Sequence, residues 1–267
     1  EDAYQSWAGG FWSTMLSNLN NRQNLYLFGE VLPDNGDNDQ IYTNYFDITA
    51  HGYTSTVYNA VNNGNLTGLH TIWHYDHELN PTDALVYVEN HDSYENGVSS
   101  FLSNWTLKMS NAILIARANV TPRVFDRPGS SNDVWNDADI IAVNHFHNAM
   151  VGQSEYMRNP ESDVLIIERG TKGATIVNVG GDTNISSPTN IQNGSYPNHA
   201  SAQTTITVSN GTLSGYIPGG SIVVLYEGST PQPPDAPTGV SASAASSSAI
   251  DVSWNASSGA TSYEVFY

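Results

Sequence analysis

The sequence predicts an α/β fold over residues 1–153 and β-rich structure after it, and three observations indicate this. In the first part, short apolar runs alternate with segments in which apolar residues recur every three or four positions, as in parallel strands connected by helices. After residue 153 the helical period disappears, and β-rich runs are separated by Gly, Asn, Ser and Pro. Beyond the proline-rich stretch at 229–236, a last segment alternates with period two. We therefore expect three structural parts in series.

Four strands are predicted in the first part, each a short apolar run, with helices between them. The first helix is indicated by Trp7, Phe11 and Met15, which share one face, although Gly10 weakens it. In chain order we expect a helix at 3–20, strands at Leu25–Val31 and Tyr45–Thr49, a helix at 53–62 that ends before Asn63 and Gly64, a strand at 84–89, a helix at Trp105–Ala118, a strand at Thr121–Phe125 near Pro122 and Pro128, and a helix at Asp137–Met150.

Short β-branched runs dominate the rest of the chain. In the second part we predict strands at Val164–Glu168, Ala174–Val179, Thr204–Val208 and Ser221–Tyr226. In the third part the segment around Ile250–Trp254, followed by Tyr263, resembles the first half of a fibronectin type III domain. Because only about three strands fit before residue 267, we expect half of such a sandwich, with half of its core.

Charge and composition exclude some classes of partner. The chain has 26 acidic and 8 basic residues, a formal net charge of -18, and no cluster of Lys or Arg. Binding to nucleic acid or to an anionic membrane is therefore disfavoured. Fifteen Tyr and six Trp with few basic residues favour a neutral polar ligand, such as a sugar, that stacks and hydrogen-bonds.

Other sequence-wide features leave the compartment open. The chain contains no cysteine, so no disulfide framework exists. No run of about 18 apolar residues and no initial export signal is present, so we expect no membrane insertion. The chain begins without Met and stops inside an expected strand; we expect arbitrary ends, with a signal peptide upstream of residue 1 as one interpretation.

Two apolar runs stop abruptly at polar residues that include an acid. The run that begins at Leu27 reaches Glu30, and the run that begins at Val86 reaches Asp92. Barrel enzymes place their chemistry on side chains at the carboxyl ends of buried strands. Because glycosidic bonds are usually cleaved by paired carboxyl groups, these two strand ends indicate that class of reaction.

With these motifs the chain resembles the α-amylase family of glycoside hydrolases, and within it the bacterial enzymes of the Bacillus subtilis type, over about residues 3–228. The resemblance rests on Phe28–Leu32 as a fifth-strand motif, Val88–Asp92 as a seventh-strand motif, Thr121–Phe125 as an eighth strand, Ala142–Asn148 as the last barrel helix, and 155–228 as a trailing β domain. It implies the last four βα units of a (β/α)8 TIM barrel at 1–153, an all-β domain at 154–228, a linker at 229–236 and a partial fibronectin-like sandwich at 237–267.

The resemblance also implies roles for individual residues. Glu30 would be the general acid/base, and partial desolvation beside Leu27 would keep a proton on it near neutral pH. Asp92 and His91 would bind the sugar at the cleaved position and stabilise the transition state. Asp92 must stay ionised, and hydrogen bonds from Asn90 and His91 could support that charge.

The family's first four strands have no counterpart in this sequence. They carry the nucleophilic Asp and most calcium ligands, so the resemblance implies calcium in the parent protein, no metal ligand in this chain, and no activity of this chain alone. Asn90 and Arg123 occupy positions that hold an anion in chloride-activated members, so chloride binding is one interpretation. An ion pair between Arg123 and an acid such as Asp126 is the other.

Several residues have competing interpretations. Taken alone, Glu30 could be a solvated strand-end acid and Asp92 a turn cap beside a packed His91, while Glu89 fits a supporting or solvated acid. His70, His74 and His77 have spacing that could ligate zinc, although the aromatic residues around them suit a cleft wall better. His145 and His147 fit packing or surface positions on a helix.

The function that this sequence favours is endo-acting hydrolysis of α-1,4-glucosidic bonds in starch or malto-oligosaccharides, with retention, by a secreted and monomeric parent enzyme. A noncatalytic carbohydrate-binding or cell-surface adhesion protein is one alternative, and a glucan transferase of the same family is another. Because half a barrel leaves strand edges and apolar faces uncovered, we expect this chain alone to be aggregation-prone or partly disordered.

Overall fold

A computed structural model describes residues 2–31, 39–69, 79–129, 134–226, 236–246, 248–257 and 263. The candidate zinc residues His70, His74 and His77 and almost all of the predicted linker lie outside the described residues. The chain forms two compact units, residues 1–227 and 228–267.

The first unit begins with a parallel sheet, as the alternation of strands and helices predicts. Its strands are β1 (Phe28–Gly29), β2 (Asp47–Thr49), β3 (Ala84–Tyr87) and β4 (Thr121–Arg123), paired in that order. β1 is much shorter than the predicted strand from Leu25 to Val31. A Cβ atom on Gly29 would meet the ring of Phe46, the residue before β2, so a larger side chain here would have to displace that ring.

Helices lie before, between and after these strands. Their bounds are α1 (Asp2–Ser17), α2 (His51–Asn62), α3 (His91–Glu95), α4 (Asn104–Ala116) and α5 (Ala138–Ala149). α4 begins where the Ser103 side chain accepts a hydrogen bond from the Thr106 amide, and α5 where Asp137 accepts one from the Asp139 amide; both are typical N-caps. Among the described residues, no helix is long and apolar enough to cross a membrane.

Two antiparallel sheets complete the first unit. Their strands are β5 (Glu155–Glu161), β6 (Val164–Arg169), β7 (Gly173–Asn178), β8 (Thr183–Pro188), β9 (Gly194–Pro197), β10 (Thr205–Ser209), β11 (Thr212–Ile217) and β12 (Ile222–Tyr226). One sheet has the order β12-β7-β6-β5 and the other β8-β11-β10-β9. The predicted all-β character is therefore present, with four strands that the sequence analysis did not locate: β5, β8, β9 and β11.

The cores of the first unit cross the boundary that we predict near residue 153. One cluster joins the parallel sheet, α2, α4 and α5 to side chains of β6, β7 and β12, including Leu165, Val177 and Val224. A second cluster fills the space between the two antiparallel sheets and includes Ile166, Ile176 and Leu213. Alternate residues of β6 thus face different cores, as the period of two in a strand requires.

The second unit contains one hairpin in its described part. β13 (Thr238–Ser246) pairs antiparallel with β14 (Ala249–Asn255), and its side chains are exposed except for a partly buried Trp254. The rings of Trp254 and Tyr263 lie 5.3 Å apart. The likeness to a fibronectin type III domain stays a prediction.

Candidate active site

The two predicted motifs meet at the carboxyl edge of the parallel sheet. Glu30 follows β1 and Asn90 follows β3, and parallel strands present these ends on the same edge. The Asn90 side-chain amide donates a hydrogen bond of 3.1 Å to Oε1 of Glu30. Residues that are 60 positions apart in the chain are therefore in direct contact.

Glu30 has a more open environment than its apolar run predicts. Its side chain is exposed, and the contact described for it is the hydrogen bond from Asn90. The partial desolvation that we expected from Leu27 is therefore not provided by the part of the chain that the structure describes. Its carboxyl group can be reached by a large ligand.

Asn90, His91 and Asp92 begin the short helix α3. The Asn90 side chain accepts a hydrogen bond from the Ser93 amide, and Ser93 Oγ accepts one from the Asn90 amide. This capping box fixes the turn after β3. His91 and Asp92 are 56% and 59% exposed, with Nε2 of His91 3.6 Å from Oδ1 of Asp92. Asn90 is buried and holds the turn, while the two exposed side chains remain available to a ligand.

Glu89 is a supporting acid, one of the two interpretations that its sequence position allows. It is 3% exposed, and Arg127 donates to both of its oxygens, from Nε at 2.7 Å and from the Nη2 nitrogen at 2.8 Å. Ser99 Oγ donates a further hydrogen bond of 2.6 Å. Arg127 also donates to the main-chain oxygens of Ser99 and Leu102. This network ties the segment after β4 to the loop that carries His91 and Asp92.

A third group at this edge, centred on His51, was missed by the sequence analysis. His51 follows β2, with Nε2 2.8 Å from Oγ1 of Thr49 and Nδ1 in hydrogen-bond contact with the Tyr87 hydroxyl. Thr49 Oγ1 also accepts a hydrogen bond from the amide of Val31. A histidine two residues after a predicted strand is the sequence signal that could have identified this group.

Arg123, the other predicted chloride residue, is exposed on β4. Its guanidinium lies 5.9 Å from the centre of the Phe28 ring. Within the described residues no ion pair joins Arg123 to Asp126, so that alternative is not supported. The amide of Asn90 is directed to Glu30, and chloride binding stays a prediction.

Two further candidates for this site are a metal-binding group and the histidines of α5. In the part of the chain that the structure describes, no group of three or more His, Asp or Glu side chains could hold a metal ion. His147 contacts the main-chain oxygen of Ile115 through Nδ1 at 2.6 Å, and burial lowers the pKa of its imidazole. His145 lines an apolar groove beside Trp135 and Ile141.

Known proteins with a similar sequence or fold include amylases. No protein-family model matches the sequence. Over 232 residues, 84% of the chain, the sequence is 41% identical to a Clostridium acetobutylicum protein named alpha-amylase. The aligned part is 30% of that protein, so the chain spans about a third of the curated relative's length.

Solved structures with a similar fold include several amylases. A mutant of alpha-amylase I from Eisenia fetida, in complex with maltohexaose, aligns with a TM-score of 0.66 and 18% identity, over 83% of this chain and 59% of that one. Alpha-amylase from H. orenii gives 0.58 and 15%, over 85% and 57%. A gamma-CGTase from alkalophilic Bacillus clarkii gives 0.58 and 16%, over 88% and 40%. At these identities the structural likeness establishes the fold alone.

Proposed function

Since this chain is related to the α-amylases, which are glycoside hydrolases, we propose that it supplies the acid/base end of an enzyme that hydrolyses internal α-1,4 bonds of starch-like glucans with retention. The observation that carries the proposal is the hydrogen bond from Asn90 to Glu30. It brings the two acid-bearing strand ends to one edge of the parallel sheet, where barrel enzymes hold their substrates.

In this proposal Glu30 first acts as an acid and then as a base. It donates its proton to the glycosidic oxygen while the bond to the anomeric carbon breaks and a nucleophilic carboxylate forms a bond to that carbon. Glu30 then takes a proton from the water that displaces the nucleophile. The nucleophile would belong to a segment of the parent protein outside these 267 residues. This chain alone would therefore have negligible activity.

His91 and Asp92 would act on the sugar itself. Both side chains are more than half exposed, so they can reach a ligand above the sheet edge. The ring of His91 would hydrogen-bond a sugar hydroxyl, and the carboxylate of Asp92 would stabilise positive charge that develops on the sugar ring. The hydrogen bonds from Arg127 to Glu89 hold the segment that leads into α3, on which His91 and Asp92 lie.

Calcium, secretion and a monomeric state are further parts of the proposal. Calcium would be bound in the parent enzyme by ligands mainly outside this chain. A polymeric glucan cannot enter a cell, so a starch-degrading enzyme would act outside it.

The test is Glu30→Gln in the complete parent protein, with Glu95→Gln as the matched control because Glu95 is an exposed acid on α3. We expect Glu30→Gln to lower kcat on soluble starch by about 10²–10⁴-fold and to leave the Kd for maltohexaose within about threefold. Glu95→Gln should leave both unchanged. Turnover that survives in Glu30→Gln would remove the proposed role.

Product analysis separates the alternatives in the same experiment. Short reducing sugars that accumulate in water support hydrolysis, whereas longer or cyclic glucans indicate a transferase. Binding of maltohexaose by the wild-type parent without any turnover indicates a noncatalytic carbohydrate-binding protein.

A further inference from the structure

We propose that His51 is a positioning residue for Glu30, acting through the hydroxyl of Thr49. The proposal rests on the function proposed above for Glu30 and concerns a histidine that the acid-bearing motifs do not include. It follows from a chain of hydrogen bonds that crosses three adjacent strand ends.

The first step concerns how weakly β1 itself fixes Glu30. β1 has two residues, and Glu30 lies directly after it with an exposed side chain. So short a strand forms few main-chain hydrogen bonds, and its end needs other contacts to stay in place. The amide of Val31, the next residue, donates a 3.3 Å hydrogen bond to Oγ1 of Thr49. The peptide that carries Glu30 is therefore attached to β2 by a side chain.

The second step concerns what orients the Thr49 hydroxyl. Thr49 is 5% exposed, and its Oγ1 lies 2.8 Å from Nε2 of His51. A threonine hydroxyl can rotate about its C–O bond, so the direction of its proton and lone pairs is set by its partners. When the Thr49 hydroxyl donates its proton to Nε2 of His51, a lone pair of Oγ1 is left to accept the hydrogen bond from the Val31 amide.

The third step concerns what holds the ring of His51. Its Nδ1 contacts the hydroxyl of Tyr87, and the two rings meet edge-on with centres 5.7 Å apart. Tyr87 is the last residue of β3 and is 4% exposed, and its main-chain oxygen accepts a hydrogen bond from Thr54 Oγ1 on α2. The imidazole thus links the rigid end of β3 to Thr49 on β2 and, through it, to the peptide after Glu30.

These contacts and the Asn90–Glu30 hydrogen bond fix Glu30 from two sides. Asn90 holds its carboxyl group from β3, and His51 holds the following peptide through β2. Catalytic groups lose much of their effect when displaced by about 1 Å. Loss of the histidine should therefore lower kcat while binding of the glucan, which depends on other residues, stays nearly unchanged.

The experiment compares two amides that replace different halves of the imidazole. In the complete parent protein, His51→Ala should lower kcat on soluble starch at least tenfold with KM changed less than twofold. His51→Gln places its amide near the position of Nε2 and should recover kcat to within threefold of wild type. His51→Asn places its amide near Nδ1, retains only the Tyr87 side, and should stay as impaired as His51→Ala.

Thr49 provides an independent pair of variants. Thr49→Val has the same shape without the hydroxyl and should reproduce the loss of kcat, whereas Thr49→Ser should retain activity. Melting temperatures within about 2 °C of wild type would show that these variants fold. Unchanged kcat in both His51→Ala and Thr49→Val, or equal recovery by His51→Asn and His51→Gln, would overturn the inference.

A second readout does not depend on turnover. In the complete parent protein, hydrogen exchange measured by mass spectrometry on a peptide that contains Val31 should become at least tenfold faster in His51→Ala and not in His51→Gln. A wild-type parent without hydrolytic activity would refute the proposed function, and the exchange of Val31 would still decide whether His51 holds this peptide. Unchanged Val31 exchange in His51→Ala would overturn the inference even where the enzyme is active.

Discussion

Arg127 pairs with Glu89, which lies just before the helix that carries His91 and Asp92. Because both side chains are largely buried, removal of Arg127 should have a large effect on stability. Its side chain is 15% exposed and that of Glu89 is 2% exposed. A buried ion pair can cost as much in desolvation as it gains in attraction, but a carboxylate left buried without its partner is strongly unfavourable. The two hydrogen bonds from Arg127 to Glu89 also require the planar fork of a guanidinium.

We therefore expect Arg127→Met to lower the free energy of unfolding by about 3–5 kcal/mol in urea denaturation of the parent protein. Arg127→Lys, which retains the charge but not the two-point geometry, should lie between Arg127→Met and wild type. Arg22→Met, at an exposed position, is the control and should change stability by less than about 0.5 kcal/mol. A loss below 1 kcal/mol in Arg127→Met would contradict the role of this pair.

The residues of the two acid-bearing motifs could be predicted from the sequence, but the side chains that contact them could not. Glu30 and Asp92 could be selected because each follows an apolar run. The partner of Glu30 is Asn90 and that of Glu89 is Arg127, and both lie far away in the chain. His51 could not be assigned a role because its partners Thr49 and Tyr87 lie on two different strands, and strand neighbours are set by topology.

Among the elements, β7 shows how closely the β part packs on α5. Gly173 begins β7, where a Cβ atom would lie 2.2 Å from the main-chain oxygen of Leu225 and 3.1 Å from the Phe146 ring. Leu225 lies on β12, which pairs with β7 at this point, so its main-chain atoms cannot move aside without disturbing that pairing.

Gly173→Ala should therefore destabilise the protein by about 1–3 kcal/mol, as measured by chemical denaturation, because the added methyl group overpacks this contact. Gly181→Ala is the matched control, since nothing lies within 4 Å of its Cβ position. Equal stability of the two variants would show that β12 and α5 accommodate the methyl group.

α4, α5 and the β part are also joined by the carboxylate of Asp139. Nζ of Lys108 on α4 donates to Oδ2 at 2.8 Å, and the Ser201 amide donates to Oδ1 at 2.7 Å. Burial by itself raises the pKa of Asp139, but the hydrogen bonds from Lys108 and Ser201 outweigh it and hold the pKa below its ordinary value.

A pKa that is lower in the folded than in the unfolded chain makes the contribution of Asp139 depend on pH. It stabilises the fold fully above the ordinary aspartate pKa of about 3.9, and this contribution is lost as pH falls through the lower folded value. Asp139→Asn should therefore reduce the free energy of unfolding at pH 7, and the difference from wild type should shrink as pH falls below about 4. Urea denaturation at several pH values measures this. Asp126→Asn, an exposed aspartate with the same charge change, should show no such trend.

Most helices and the apolar strands of the first unit could be predicted because their patterns are strong. The buried runs of β3, β6, β7 and β12 correspond to strands that we expected. β8 and β10 alternate exposed and buried residues, but β8 consists largely of Ser, Thr and Asn, and its single large apolar residue, Ile185, gives too weak a signal. Such strands are specified by their neighbours rather than by their own composition.

For the whole molecule, the edges of the parallel sheet determine how the isolated chain should behave. Within the described residues, β1 and β4 are edge strands that each pair on one side only. Tyr26 and Phe28 near β1 are 51% and 46% exposed. Exposed apolar residues beside an open strand edge favour association with other chains.

We expect this chain by itself to self-associate at micromolar concentration, as measured by analytical ultracentrifugation. Phe28→Glu should reduce the association by placing a charge at the edge. Val240→Glu adds the same charge at an exposed apolar residue of the second unit and should have less effect. A monodisperse wild-type chain that melts cooperatively would contradict this expectation.

The organisation into an α/β part and a β part could be read from periodicity, but the packing between them could not. Helical and strand periods report which face of each element is apolar and not which element covers it. The core that includes both Val143 and Val224 shows that residues on either side of position 153 bury each other. Composition gave no indication of this continuity.

This shared core has a consequence for how the protein is made. Ribosomes deliver a chain from its amino end, and β12 is the last strand of the first unit. Side chains of α5 that share a core with Ile222 and Val224 lack these partners until translation has passed residue 226. Nascent chains paused before that point should bind chaperones, and chains paused well beyond it should resist protease.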